Sequence, residues 1–210
     1  MQVKGADRYR PDMLPALEKA VDEQAAGAKP FSLDVSLAVL RLYALQPSVA
    51  RPETVARILL RALAQLPAAD YRTCAYLVPE RMQADEPLSS IVLLASHLES
   101  GRLADFWALA HGSRDMLAMV PGFMDEARRF VAHTLAITFA RLPKRQLGDA
   151  LRLEGRELDA YVAERVQRDG WTLAAGDAVV LPRNEHNTPS VRRAAEVVAL
   201  DAVLPALMAA

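Results

Sequence analysis

Proline placement constrains this chain more than any other feature. Pro30, Pro47, Pro52, Pro67, Pro79, Pro87, Pro121 and Pro143 all fall between stretches with helical apolar spacing. Proline cannot continue a helix, but its fixed φ suits a first turn. A chain punctuated this way is restricted to short helices joined by tight turns. The clearest case is Pro52 to Leu66, where Val55, Ile58, Leu59, Ala62, Leu63 and Leu66 follow the i, i+3, i+4, i+7 rule. Arg57, Arg61 and Gln65 take the other side, and Pro52 and Glu53 sit where a first turn favours them.

The same grammar predicts helices over Asp12 to Gln24, Ser32 to Leu45, Asp70 to Val78, Leu88 to Leu98, and Leu103 to Met119 with a break near Gly112. Ser32 is a cap candidate, with Leu33, Leu37, Leu40 and Ala44 as the stripe behind it. Abundant Ala and Leu and only 9 glycines favour helix. Residues 1–120 therefore read as a stack of short antiparallel helices, an architectural repeat without a strict sequence period. Leu37, Leu40, Ile58, Leu59, Leu63, Leu94 and Phe130 are the expected core.

A long helix is expected over Asp125 to Leu142, with Phe130, Val131, Leu135, Thr138 and Leu142 at helical spacing. After Pro143 the pattern changes. A short helix, Lys144 to Arg152, meets a turn at Leu153 to Gly155, and a second helix runs from Arg156 to Asp169 before Gly170. Two alternating runs follow, Trp171 with Leu173 and Val179 with Leu181, joined through Gly176. Helix, turn, helix and two-stranded wing make a winged helix over 121–189. A polar linker, Pro182 to Pro189, leads to a last helix, Ser190 to Leu207, whose Val197, Leu200, Val203, Leu204 and Leu207 form one apolar stripe. The fold class is mainly all-α, divided into 1–120, 121–189 and 190–210.

The chemistry of the side chains is sparse. The chain has 210 residues, a net charge of -1 and a single cysteine. No internal disulfide can form, which suits a reducing compartment. The polar N-terminus and the absence of a 20-residue apolar run argue against a signal peptide or membrane span. A cytoplasmic protein is expected, with nuclear presence compatible. His97, His111, His133 and His186 lack a partner at metal-ligand spacing, Cys74 has no nearby base, and no phosphate-binding or nucleophile-elbow motif occurs. No enzyme, cofactor or metal is expected. The candidate recognition helix carries Arg156, Arg165 and Arg168 against Glu157, Asp159, Glu164 and Asp169. That acidic balance opposes groove binding, which needs phosphate neutralisation, so no specific DNA contact is expected. Arg128, Arg129, Lys144 and Arg145 are basic pairs that could touch ribosomal RNA, or be plain solvated charge. A winged helix also docks proteins, and a wing edge can accept a strand. Trp171, Val179, Val180 and Leu181, with the stripe of the last helix, are the candidate partner contacts. Trp171 as a plug of its own core is the alternative.

Six segments, in order, the last being Gly170-Trp171 with the strand after it, resemble one known family. Tyr9-Arg10-Pro11-Asp12 is similar to its opening, and SLDVSLAVLRLYALQP (Ser32 to Pro47) to its most recognisable segment. ILLRALAQLPAADYRTCAYLV (Ile58 to Val78), LASHLESGRLADFW (Leu94 to Trp107) and GFMDEARRFVAHTLAITF (Gly122 to Phe139) follow, then Gly170-Trp171. Together they span residues 9–181 and resemble subunit k of the eukaryotic translation initiation factor three complex. The resemblance implies a HEAT-like helical domain followed by a winged helix of the proteasome-lid, signalosome and initiation-factor (PCI) kind. It implies a non-catalytic scaffold beside subunit l on the small ribosomal subunit. The chain departs from the family pattern around Ala108 to Met119, Leu153 to Arg156 and after Ala199. The alternatives are a subunit of another PCI-type complex, a proteasome lid or signalosome, a winged-helix regulator, and an unrecognised hydrolase.

Overall fold

The computed structural model describes residues 10–188 and the single positions Gly5, Leu204 and Met208. The predicted helix Ser190 to Leu207, with Val197, Leu200, Val203 and Leu207, lies outside the described residues, and only Leu204 of its stripe falls within them.

After a 3-10 turn at Pro11–Met13, the helical stack runs α1 (Leu14–Ala25), α2 (Leu33–Leu45), α3 (Pro52–Leu63), α4 (Asp70–Ala75), α5 (Glu80–Gln83), α6 (Leu88–Glu99), α7 (Leu103–Gly112) and α8 (Arg114–Leu117). The proline punctuation holds: Pro52 opens α3, and Pro79 and Pro87 sit at the N-caps of α5 and α6. Helix α3 is the hub and packs on α1, α4 and α6. It buries Ala56 and Leu60 as well as the predicted stripe of Val55, Ile58, Leu59, Ala62 and Leu63. Ion pairs tie its neighbours: Arg57 to Asp22 across α3 and α1, and Arg72 to Glu99 across α4 and α6, both at 2.9 Å.

Two core assignments are corrected. Leu37 is only half-buried, and α2 turns Val35, Ala38, Val39, Leu40 and Leu42 inward instead. Helix α2 is apolar almost all round, so its periodicity did not say which side α1 and α4 would cover. Phe130 is also half-buried, at the rim of a cleft with Leu66, Pro67 and Arg72. Leu40, Ile58, Leu59, Leu63 and Leu94 are buried as expected.

The second half has winged-helix order: α9 (Phe123–Thr138), β1 (Arg141–Pro143), α10 (Lys144–Leu151), α11 (Gly155–Asp169), β2 (Thr172–Ala174) and β3 (Ala178–Val180). The long helix stops at Thr138, not Leu142. Phe139 is already extended, and Leu142 enters β1. Leu142 satisfied helical spacing because a lone buried residue near a helix end fits either period. The expected two-stranded wing is the β2–β3 hairpin, and β1 adds a third strand to its sheet, in the order β1-β3-β2, fully antiparallel, with Leu142 and Leu173 both opposite Val179. The β2–β3 turn uses Gly176 at φ +84° and Asp177 at φ +56°, a left-handed pair that glycine and aspartate tolerate best.

The two halves share one contiguous core from Leu17 to Leu181. Trp107 on α7 joins them: its indole N–H donates to the Ala150 carbonyl in the last turn of α10 at 2.8 Å. Phe106 stands edge-on to its ring at 4.8 Å, and the Arg128 guanidinium lies 5.7 Å from the ring centroid.

Candidate partner-docking surface

No catalytic grouping appears among the described residues. None of their His, Cys, Asp and Glu side chains cluster so as to hold a metal ion. Cys74 is fully buried in α4, and burial pushes its thiol up to about 12. A thiol held protonated is a core residue and not a nucleophile. His97 is buried in α6, His111 pairs with Arg114, and His186 neighbours Glu185. No helix among the described residues is long and apolar enough to cross a membrane.

The basic candidates divide into spent and unspent charge. Lys144 lies 2.6 Å from Asp159 on α11 and 3.6 Å from Asp177 in the wing turn. The hydrogen bond to Asp159 raises its pKa above the ordinary lysine value. Arg128 pairs with Asp125 at 2.9 Å and reaches the Leu151 carbonyl at 3.4 Å, so it staples α9 to the end of α10. Arg129 pairs with Glu126. Arg145 is exposed and has no ion pair among the described residues. Three of the four cations are therefore engaged within the fold, and Arg145 is the one that presents a free charge.

The face that a DNA-reading winged helix would turn to a groove is also compensated. On α11, Arg165 pairs with Asp169 and Arg168 with Glu164, at 3.0 and 2.7 Å. Asp159 holds Lys144 across to α10. Little uncompensated positive charge is left there to displace counterions from phosphate.

The apolar candidates divide by burial. Trp171, Val179 and Leu181 are buried in the winged helix's own core, and Trp171 lies just before β2 rather than within it. Leu173 shares a sheet face with the buried Val179 opposite it, but on the edge strand it is 61% exposed. Val180 is half-buried at the centre of the sheet. β2 forms one edge of the sheet, so its outer backbone groups have no strand partner among the described residues. An exposed leucine on a short open edge is the arrangement that strand addition uses. Sequence reasoning missed Leu173 as a surface residue because alternation does not say which strand lies at the edge of a sheet. Tyr76 at 87% exposure and Leu45 at 65% were missed too, since both close apolar helices and look like core from their spacing.

The linker after the wing is not a free tether over its described part. Asn187 is buried, and with Asn184 it hydrogen-bonds the last carbonyls of α9. The polar linker expected from Pro182 is thus pinned to α9 over its described part.

Comparison with known proteins agrees with this architecture. The model of the CSN8/PSMD8/EIF3K family matches residues 50–191. A zebrafish (Danio rerio) protein named eukaryotic translation initiation factor 3 subunit K is 34% identical over 170 residues, covering 81% of this chain and 76% of the relative. The human protein of that name is 30% identical over 185 residues, covering 88% and 83%. That of Drosophila mojavensis is 34% identical over 175 residues, covering 83% and 77%. A family match across most of the winged helix and much of the helical stack, with relatives similar over four-fifths of the chain, places it: the chain belongs to the CSN8/PSMD8/EIF3K family.

Proposed function

We propose that this chain acts in translation initiation as a non-catalytic subunit of eukaryotic initiation factor three, working in the cytoplasm through protein–protein contacts. One observation carries the reading: relatives bearing the name of subunit K are 30–34% identical across 81–88% of this chain. The internal chemistry supports a structural role. The one thiol is buried, the histidines are dispersed, and Lys144, Arg165 and Arg168 of the winged helix are matched by acids.

The partners proposed are the other subunits of the factor, subunit l foremost, and through them the small ribosomal subunit. The contacts proposed are Leu173 on the β2 edge and Val180 on the neighbouring β3, together with the apolar stripe Val197, Leu200, Val203, Leu204 and Leu207 of the C-terminal segment. A ribosomal RNA contact, if made, falls to Arg145. A second reading, a subunit of a signalosome or proteasome lid, is favoured only by the breadth of the family description, which spans all three complexes.

Affinity purification of the tagged chain from its own cells, with mass spectrometry of the bound proteins, tests the proposal. Initiation factor three subunits should dominate. Recovery of proteasome-lid or signalosome subunits in their place would refute it.

A further inference from the structure

The turn after the wing is marked in sequence only as polar, yet it carries a dense hydrogen-bond cluster. Asn187 is 6% exposed. Its Nδ2 donates to the carbonyls of Ala136, Phe139 and Pro182 at 3.0, 3.2 and 2.8 Å. Its Oδ1 accepts the Asn184 backbone N–H at 2.9 Å and the Thr188 hydroxyl at 3.3 Å. Asn184 returns the arrangement: its Nδ2 donates to the Ala136 carbonyl at 3.0 Å, and its Oδ1 accepts the N–H groups of His186 and Asn187, both at 2.9 Å.

Ala136 lies in the last turn of α9 and Phe139 just beyond it, where carbonyls have no partner within the helix. Their capping by a segment 48 to 51 residues later in the chain is a tertiary connection, not a local turn. Only a side chain that donates and accepts at once can serve both sides of this cluster, and the amide of asparagine does so. An aspartate of the same shape keeps the acceptor but aims an anion at three carbonyl oxygens.

We propose that Asn187, with Asn184, is a positioning clasp: it fixes the path of the chain out of the winged helix against α9, so that the C-terminal segment is presented to its partner subunit from one direction. This rests on the reading of that segment as a docking element. The wing, α9 and the exit of the chain then move as one body, and partner binding does not have to order the linker first, a cost that free linkers carry.

The test uses the full chain with Asn187→Asp, and Asn184→Asp as the second variant should the first fail to fold. Spin labels go on cysteines placed at the exposed positions Gln167 and Glu185, since the buried Cys74 stays unlabelled. The parent should give one narrow distance distribution and the variant a broad one, with helical content and melting of the body retained. Assembly with the purified neighbouring subunits should be lost in the variant at the same temperature. An unchanged distribution overturns the clasp. Broadening with undiminished assembly overturns the positioning role and leaves the subunit assignment intact. Failure of the parent itself to assemble sinks the subunit assignment, while the distance measurement still reads the clasp.

Discussion

Gly148 is the glycine of the winged helix at which an added side chain would meet backbone most closely. It lies inside α10 and is buried. A Cβ placed there would stand 2.8 Å from the Leu153 carbonyl oxygen and 2.9 Å from Leu158 Cδ2. The second contact can yield by a rotamer change. The first cannot, because Leu153 is held by its own N–H bond to the Gly148 carbonyl at 3.0 Å. Gly148→Ala thus forces α10 and the turn before α11 apart by about half an ångström, in a core of native packing density. Overpacking of this kind costs about 1–3 kcal/mol. The gain of alanine over glycine in a helix interior returns about 0.5–1 kcal/mol. The net expectation is a loss of about 0–2.5 kcal/mol, or a fall in Tm of up to about 10 °C for a chain of this size, and a deficit of about 1–3 kcal/mol against an alanine placed where it meets no overpacking. Urea and thermal unfolding followed by circular dichroism measure it. Gly112→Ala is the control, because no atom lies within 4 Å of a Cβ at the end of α7. It should be neutral or stabilising. A Gly148→Ala protein as stable as the Gly112→Ala protein would refute the close approach of α10 to Leu153.

Four further outcomes are expected. Leu63→Ala, at a site 2% exposed, should lose about 2–5 kcal/mol, and Leu37→Ala distinctly less, as denaturant titration will read. Trp107→Phe removes the 2.8 Å bond between the two halves and should cost about 1–2 kcal/mol, with no change in helical content. Cys74 should resist thiol reagents at pH 8 until the chain unfolds; because its folded pKa of about 12 exceeds the ordinary 9.0, the unfolded state sheds this proton first and stability falls as pH rises from 9 toward 12, a slope that Cys74→Ala should lessen. Leu173→Asp should leave the melting curve unchanged yet reduce recovery of neighbouring subunits on affinity purification, and unchanged recovery would count against the wing edge as a contact.

The helices were largely legible in the sequence because proline and apolar spacing act locally: a missing N–H ends a helix wherever the chain goes. α3 and α6 lie close to the predicted ranges, and α10 and α11 differ from theirs by a residue at one end. The winged helix was legible too, since Gly170 and Gly176 mark turns that need left-handed backbone. The absence of metal-ligand spacing and of nucleophile motifs followed from the residues alone.

What the sequence did not carry was which side of an apolar element meets another. α2 presents leucine or valine in nearly every direction, so burial of Val35 and Val39 rather than Leu37 depended on where α1 and α4 lie. Leu142 became a strand residue because β3 was there to pair with it, and a strand exists only through its partner. The docking candidates show the same division. Trp171, Val179 and Leu181 are buried while Leu173, at the sheet edge, is left exposed, and Lys144 is drawn into ion pairs with residues on other elements. Helix formation is a short-range contest that each segment settles with its own residues. Burial, and charge pairing across elements such as that of Lys144 with Asp159, are long-range, and only the assembled tertiary structure decides them.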